Sequence, residues 1–252
     1  MVVKPVRRPS ASAMILGALG VLFVGCGAPP GQPRAGSMTP APSEVVEFAV
    51  LYAENCAGCH GANGRGGAAI ALDNSVYLAI VDERSMRATI AAGVHGTSMP
   101  AFAQRAGGML SEKQIDALVD GIRTQWSRSA ALAGANPPSY AATSAGDIHR
   151  GETVYQTFCQ SCHGAGGRGD SKGSAITNDS FLALTSDQGL RTMVISGRPE
   201  LGAPDWRGNA AGRPMSEQEV TDVVSWITSH RVAAPGQPYV TERSASGASR
   251  VE

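Results

Sequence analysis

The sequence predicts an all-α fold built from two small helical domains in tandem. Three observations carry that expectation. A five-residue pattern, C-x-x-C-H, occurs twice, as Cys56-Ala57-Gly58-Cys59-His60 and as Cys159-Gln160-Ser161-Cys162-His163, offset by 103 residues. Each copy follows one helical stretch and precedes another that opens with a capping box. No run alternates apolar and polar residues for long enough to argue for a sheet.

The repeated pattern has a specific chemistry. Two thiols on one helical turn can each form a thioether to a haem vinyl group, and the adjoining His then offers an imidazole nitrogen to the iron. With five Cys and five His in 252 residues, chance supplies roughly 0.002 such pentapeptides per chain. Two copies therefore mark two covalent haem c sites: Cys56 and Cys59 with His60 on one iron, Cys159 and Cys162 with His163 on the other. A zinc ribbon, a thioredoxin-type redox pair and a disulfide framework all leave the terminal His unexplained. The fifth cysteine, Cys26, stands in an N-terminal processing segment, so no thiol remains for a disulfide.

Taken in order, the chain opens with Lys4, Arg7 and Arg8 ahead of an apolar run from Ala11 to Val24. That run is too short to span a bilayer comfortably, and residues 1–25 read as a secretory signal peptide. Leu22-Phe23-Val24-Gly25-Cys26 resembles a bacterial lipoprotein cleavage box, with Phe23 where Leu is usual, so Cys26 is the expected lipidated first residue of the mature chain. Simple secretion and an uncleaved anchor are the competing readings. Residues 26–42, with five prolines among small residues, read as a tether that cannot build a core.

A first helix is expected over Glu44 to Asn55, with Val46, Val50 and Ala53 near helical spacing. Its counterpart carries Val154, Tyr155 and Phe158 after an N-cap at Asp147. The flanks of the motifs match as well: Gly64-Arg65-Gly66 with Gly167-Arg168-Gly169, Tyr77-Leu78-Ala79 with Phe181-Leu182-Ala183, and Arg87 with Arg191. Each repeat closes with an amphipathic helix behind a capping box, Ser111 with Gln114 and Ser216 with Glu219. The apolar faces are Ile115, Leu118, Val119, Ile122 and Val220, Val223, Val224, Ile227. Domains follow over 43–128 and 144–231, joined by a linker of Ala, Gly, Ser and Pro over 129–143 and trailed by a disordered tail over 232–252.

With two C-x-x-C-H-G motifs, a short Gly/Arg loop after each, a middle helix and a capped final helix, the chain resembles a dihaem c-type cytochrome built from two class I cytochrome c domains. The resemblance covers most of the mature chain. It implies a distal Met on the loop before the last helix, usually as Met-Pro. Ser98-Met99-Pro100 lies 39 residues after His60, so Met99 is the implied partner of His60 on the first iron. In the second repeat the equivalent position is Ala203, within Leu201-Gly202-Ala203-Pro204-Asp205-Trp206, and alanine cannot bind iron.

Met193, aligned with Thr89 on the middle helix, is the candidate replacement, with helix packing as its ordinary role. Met215, aligned with Leu110, stands where a hydrophobic staple is usual. His95, His149 and His230 read as surface or capping residues, and Lys172 as a remote alternative.

The full chain carries 21 basic and 21 acidic side chains. Removing Lys4, Arg7 and Arg8 with the leader leaves 18 against 21, a net of −3, which argues against nucleic acid as a partner. Arg65, Arg84, Arg87, Arg168, Arg191, Arg198 and Arg207 are expected on solvated surface, some of them near haem propionates. Aromatic residues make up only 5%, so the cofactor is expected to supply much of each core.

The reading that follows is an exported dihaem cytochrome c, lipid-anchored on the periplasmic side of a bacterial membrane and without catalytic residues of its own. It would relay single electrons between redox protein partners such as an oxidase, a reductase, a dehydrogenase or a photosynthetic centre. The alternative is a haem enzyme, or the cytochrome subunit of a dehydrogenase, in which the second haem is an open ligand-binding site.

Overall fold

The computed structural model describes residues 40–208 and 211–233. The leader, Cys26, the tether up to residue 39 and the tail beyond residue 233 lie outside the described residues. Five α-helices in one order occur twice, and there is no strand among the described residues. The first set is α1 (Phe48–Asn55), α2 (Ala57–His60), α3 (Ser75–Ile80), α4 (Glu83–Ala92) and α5 (Glu112–Trp126). The second is α6 (Ile148–Phe158), α7 (Gln160–His163), α8 (Asp179–Leu184), α9 (Asp187–Ser196) and α10 (Glu217–Thr228).

Local chemistry sets these boundaries. Asn74, Asp82, Asp147, Asn178 and Ser186 each accept backbone N–H bonds at the start of a helix, satisfying donors that have no partner inside the helix. Both capping boxes form: Ser111 N–H donates to Gln114 Oε1 at 3.0 Å, and Ser216 N–H to Glu219 Oε2 at 2.8 Å.

The first helix differs from expectation. It begins at Phe48, because the Gln114 side chain on α5 donates to the carbonyls of Pro42 and Val45 at 2.9 and 3.0 Å and holds that segment outside the helix. Val46, Val50 and Ala53 are exposed, while Leu51 and Tyr52 are buried with Phe48 packed beside them. Burying two aromatic rings removes more apolar area from water than burying two valines, so the aromatic stripe wins the inward face.

In each repeat the first helix crosses the last at a glycine. A Cβ on Gly121 of α5 would stand 2.1 Å from the Phe48 ring, and one on Gly151 of α6 would stand 2.7 Å from Trp226 Cβ and 2.2 Å from the Asp222 carbonyl oxygen. Phe48 corresponds to Gly151 and Gly121 to Trp226. The large and small partners have changed helices between the repeats, preserving the volume of the crossing.

Two apolar cores result. One gathers Tyr52, Leu78, Ile115, Leu118 and Ile122; the other Tyr155, Leu182, Ile195, Trp206 and Val223. Helix α3 serves both, since Tyr77 and Leu78 belong to the first core while Val76 is buried in the second with Ile80 against it.

The linker is held along its length. Tyr140 packs on the first core, and Leu132 and Ala135 pack on the second. Its carbonyls accept bonds from Gln188, Arg191 and Arg207. Arg191, expected on the surface, is 2% exposed. It bonds to Ser139 O at 3.0 Å, Thr221 Oγ1 at 2.9 Å and the Glu217 carboxylate, so linker and α10 close over a guanidinium whose charge and donors are matched. Its counterpart Arg87 spans Glu112 and Asp116 in a more open setting.

Candidate haem sites

Each C-x-x-C-H segment is a tight turn grown from the end of a longer helix. Cys56 closes α1, its N–H bonded to Tyr52 O, and at once opens α2; Cys159 does the same between α6 and α7. The inner cysteines Cys56 and Cys159 are half-buried against their cores, and Cys59 and Cys162 are exposed. Burial, reinforced by the neighbouring thiol, pushes Cys56 up to about 11 and Cys159 up to about 12. Both inner thiols are therefore protonated at neutral pH.

The imidazoles are fixed by the main chain. His60 Nδ1 lies 2.8 Å from Ile70 O, and His163 Nδ1 lies 2.8 Å from Ser174 O. A carbonyl only accepts, so Nδ1 carries the proton and the Nε2 lone pair is left for a metal. Burial pulls His60 below its ordinary value. The bond to Ile70 opposes that, and the Arg198 guanidinium from the second repeat adds to it. The net effect favours the neutral, ligating imidazole.

Two tyrosine hydroxyls complete the turn: Tyr52, which the sequence did not single out, and Tyr155, expected only as an apolar position of its helix. Tyr52 OH donates to Gly61 O at 2.8 Å, and Tyr155 OH to Gly164 O at 2.5 Å. Each hydroxyl reaches from the long helix to the residue just after the His. The signal was present, because the tyrosines share the 103-residue offset of the motifs.

The distal loops have matching backbones. Gly93 ends α4 at φ +67° and Gly197 ends α9 at φ +66°, a region that favours glycine. A Cβ on Gly93 would lie 2.5 Å from Pro100 C, and one on Gly197 would lie 2.5 Å from Pro204 C. Val94 N–H bonds to Met99 O and Arg198 N–H to Ala203 O, both at 3.0 Å. Ala203 thus occupies the backbone position of Met99, which is partly buried against the first core.

Met193 is partly buried against the second core, in the last turn of α9, where its carbonyl accepts from Gly197 N–H. Met215 is a core residue, its N–H bonded to Trp206 O as Leu110 N–H is to Phe102 O. His95, His149 and Lys172 are exposed. His230 caps the end of α10 with Nδ1 on Trp226 O at 2.9 Å.

Two helical repeats, each presenting a thiol pair and a backbone-anchored imidazole from one turn, define a tandem pair of cytochrome c domains. The family model for cytochrome c oxidase, cbb3-type, subunit III matches residues 44–120 and 146–227, and the chain belongs to that family. Covalent haem c is the cofactor such a family implies, and the chemistry of the donors present fits it: free thiols with two residues between them, and an imidazole whose free nitrogen is Nε2.

The chain is 31% identical over 124 residues to a cbb3-type cytochrome c oxidase subunit CcoP from Azospirillum, covering 45% of this chain and 37% of that one. It is 26% identical over 188 residues to a cytochrome bc1 complex cytochrome c subunit from Mycobacterium bovis, covering 70% of this chain and 60% of that one. A cbb3-type subunit FixP from Azorhizobium caulinodans is 27% identical over 170 residues, covering 64% and 53%. The chain thus spans between 37% and 60% of the length of these relatives. No helix among the described residues is long and apolar enough to cross a membrane.

Proposed function

We propose that the chain is a dihaem electron carrier, exported and tethered at the periplasmic face of a bacterial membrane through lipid on Cys26, passing single electrons between redox protein partners. The duplicated turn that pairs two thiols with a carbonyl-anchored imidazole is the observation that carries this reading. When bound, haem c supplies reversible one-electron chemistry at its iron.

The residues divide the remaining work. Cys56 and Cys59 hold one cofactor and Cys159 and Cys162 the other. His60 and His163 present Nε2, oriented by Ile70 O and Ser174 O. Met99 is the distal ligand of the first site, its loop fixed against Gly93. The relatives named as subunits of cbb3 oxidase and bc1 complexes support partners of that kind, a membrane oxidase or a quinol-oxidising complex. Intact mass of the exported protein tests the proposal: a chain starting at Cys26, carrying two haems and diacylglycerol, is expected, and a haem-free chain overturns it.

A second reading is favoured by one observation, Ala203 at the backbone position of Met99. It makes the second site open to a small ligand or substrate, as in a haem enzyme or the cytochrome subunit of a dehydrogenase. Met193 is the residue that would close it instead. Carbon monoxide added to the reduced protein separates the two: binding at one of two haems supports the open site, and no binding in wild type with binding in Met193→Ala supports Met193 as ligand.

A further inference from the structure

Resting on the two-haem reading, we propose that Asn74 is a positioning residue for the second site: the first repeat supplies the amide that fixes the distal side of the second.

Asn74 does two things at once. Its Oδ1 accepts from Val76 N–H and Tyr77 N–H, both at 3.0 Å, and so caps α3. Its Nδ2 donates across the repeats to Ser196 O at 3.0 Å, and the residue is 8% exposed. Ser196 is the last residue of α9, where carbonyls lack partners inside the helix. The next residue is Gly197, against which the loop carrying Ala203 returns.

The Asn74 amide therefore closes the end of the helix that bears Met193 and the root of the segment that lacks a distal Met. Val76, two residues on, is buried in the second core, which anchors the contact from the same helix. Charge crosses the interface in the other direction, since Arg198 on that segment acts on His60 and Glu200 acts on Asp73.

The second repeat provides an internal control. Asn178 caps α8 in the same way, accepting from Ser180 N–H at 3.0 Å and Phe181 N–H at 3.2 Å, but it is exposed. Capping alone thus does not require the buried amide donor of Asn74.

Asn74→Ser separates the roles, because serine caps as well as asparagine yet cannot reach Ser196 O with an N–H. Asn74→Asp also keeps the cap and sets a carboxylate against that carbonyl. The test uses the full-length holoprotein, with imidazole as probe and a potentiometric titration in which the component unchanged by Met99→Ala is assigned to the second haem. Asn74→Ser is expected to tighten imidazole binding at that haem about fivefold, the equivalent of one lost hydrogen bond, and to shift its potential. Asn74→Asp is expected to go further in the same direction, and Asn178→Ser to match wild type.

Affinity within about twofold of wild type and an unmoved second potential in both Asn74 variants would overturn the proposal. So would an equal effect from Asn178→Ser, which would reduce the role to capping. A wild-type chain with one haem, visible by mass before any titration, defeats the two-haem reading itself, whereas two haems with silent Asn74 variants defeat only this inference.

Discussion

Three kinds of side chain do the positioning at each site: a histidine locked by a carbonyl, a tyrosine tied to the residue after it, and a residue on the distal loop. The first two are duplicated and the third is not. Removing the Tyr52 hydroxyl breaks its 2.8 Å bond to Gly61 O and leaves a carbonyl to find water. Tyr52→Phe is therefore expected to lower stability by about 1 kcal/mol, measured by denaturant unfolding of the holoprotein, with the haem still attached. Met99→Ala should act differently, leaving attachment intact and lowering the first potential by on the order of 0.1 V, within the ~0.8 V that axial ligation spans; a redox titration reads it directly. The residues proposed to hold the haems stood out in the sequence because C-x-x-C-H chemistry demands a fixed spacing. Arg191 was not, since its burial depends on the linker folding back over it, and nothing in its immediate sequence records that contact.

Among helices, the crossing of first and last is the most sensitive point. Gly121→Ala gains helix propensity of nearly 1 kcal/mol, but its new methyl would sit 2.1 Å from the Phe48 ring. The clash is expected to dominate, for a net loss of about 1–2 kcal/mol. Adding Phe48→Ala should show favourable coupling in a double-mutant cycle, because the shortened side chain makes room for the methyl. The cap of α10 carries a pH dependence. Glu219 is held down to about 2 by Arg213, with Ser216 helping, against an ordinary value of 4.5. A lowered carboxylate stabilises the fold above its unfolded value, and that contribution disappears as pH falls from about 4.5 towards about 2. Glu219→Gln keeps the box, as Gln114 does in the first repeat, so its melting temperature should lie below wild type at pH 7 and the two should converge through that window. The capped helices were visible from Ser-x-x-Gln and Ser-x-x-Glu followed by apolar positions at i, i+3, i+4 and i+7. The start of α1 was misplaced because the Gln114 side chain, some seventy residues away, decides it.

The molecule is two copies of one design joined by a shared helix and a pinned linker, and its asymmetry lies in what stands between the copies. Offset matching revealed the tandem arrangement, since a duplicated domain leaves its trace along the whole chain. The packing of one repeat on the other could not be read, because α3 is a single short helix that sends Tyr77 and Leu78 into one core and Val76 and Ile80 to the other. Domains of this size with few aromatics depend on a large apolar cofactor to fill their interiors, so haem-free chain is expected to unfold at a much lower temperature than holoprotein in a calorimetric scan. The central claim is that one chain holds two haems with unequal distal sides, closed by Met99 in one and lacking that ligand at Ala203 in the other. A spectroelectrochemical titration of the purified holoprotein tests it most directly. Two one-electron components of different potential are expected, the higher one falling in Met99→Ala while the lower stays; two components of equal potential, or a Met99→Ala variant in which neither moves, would contradict it.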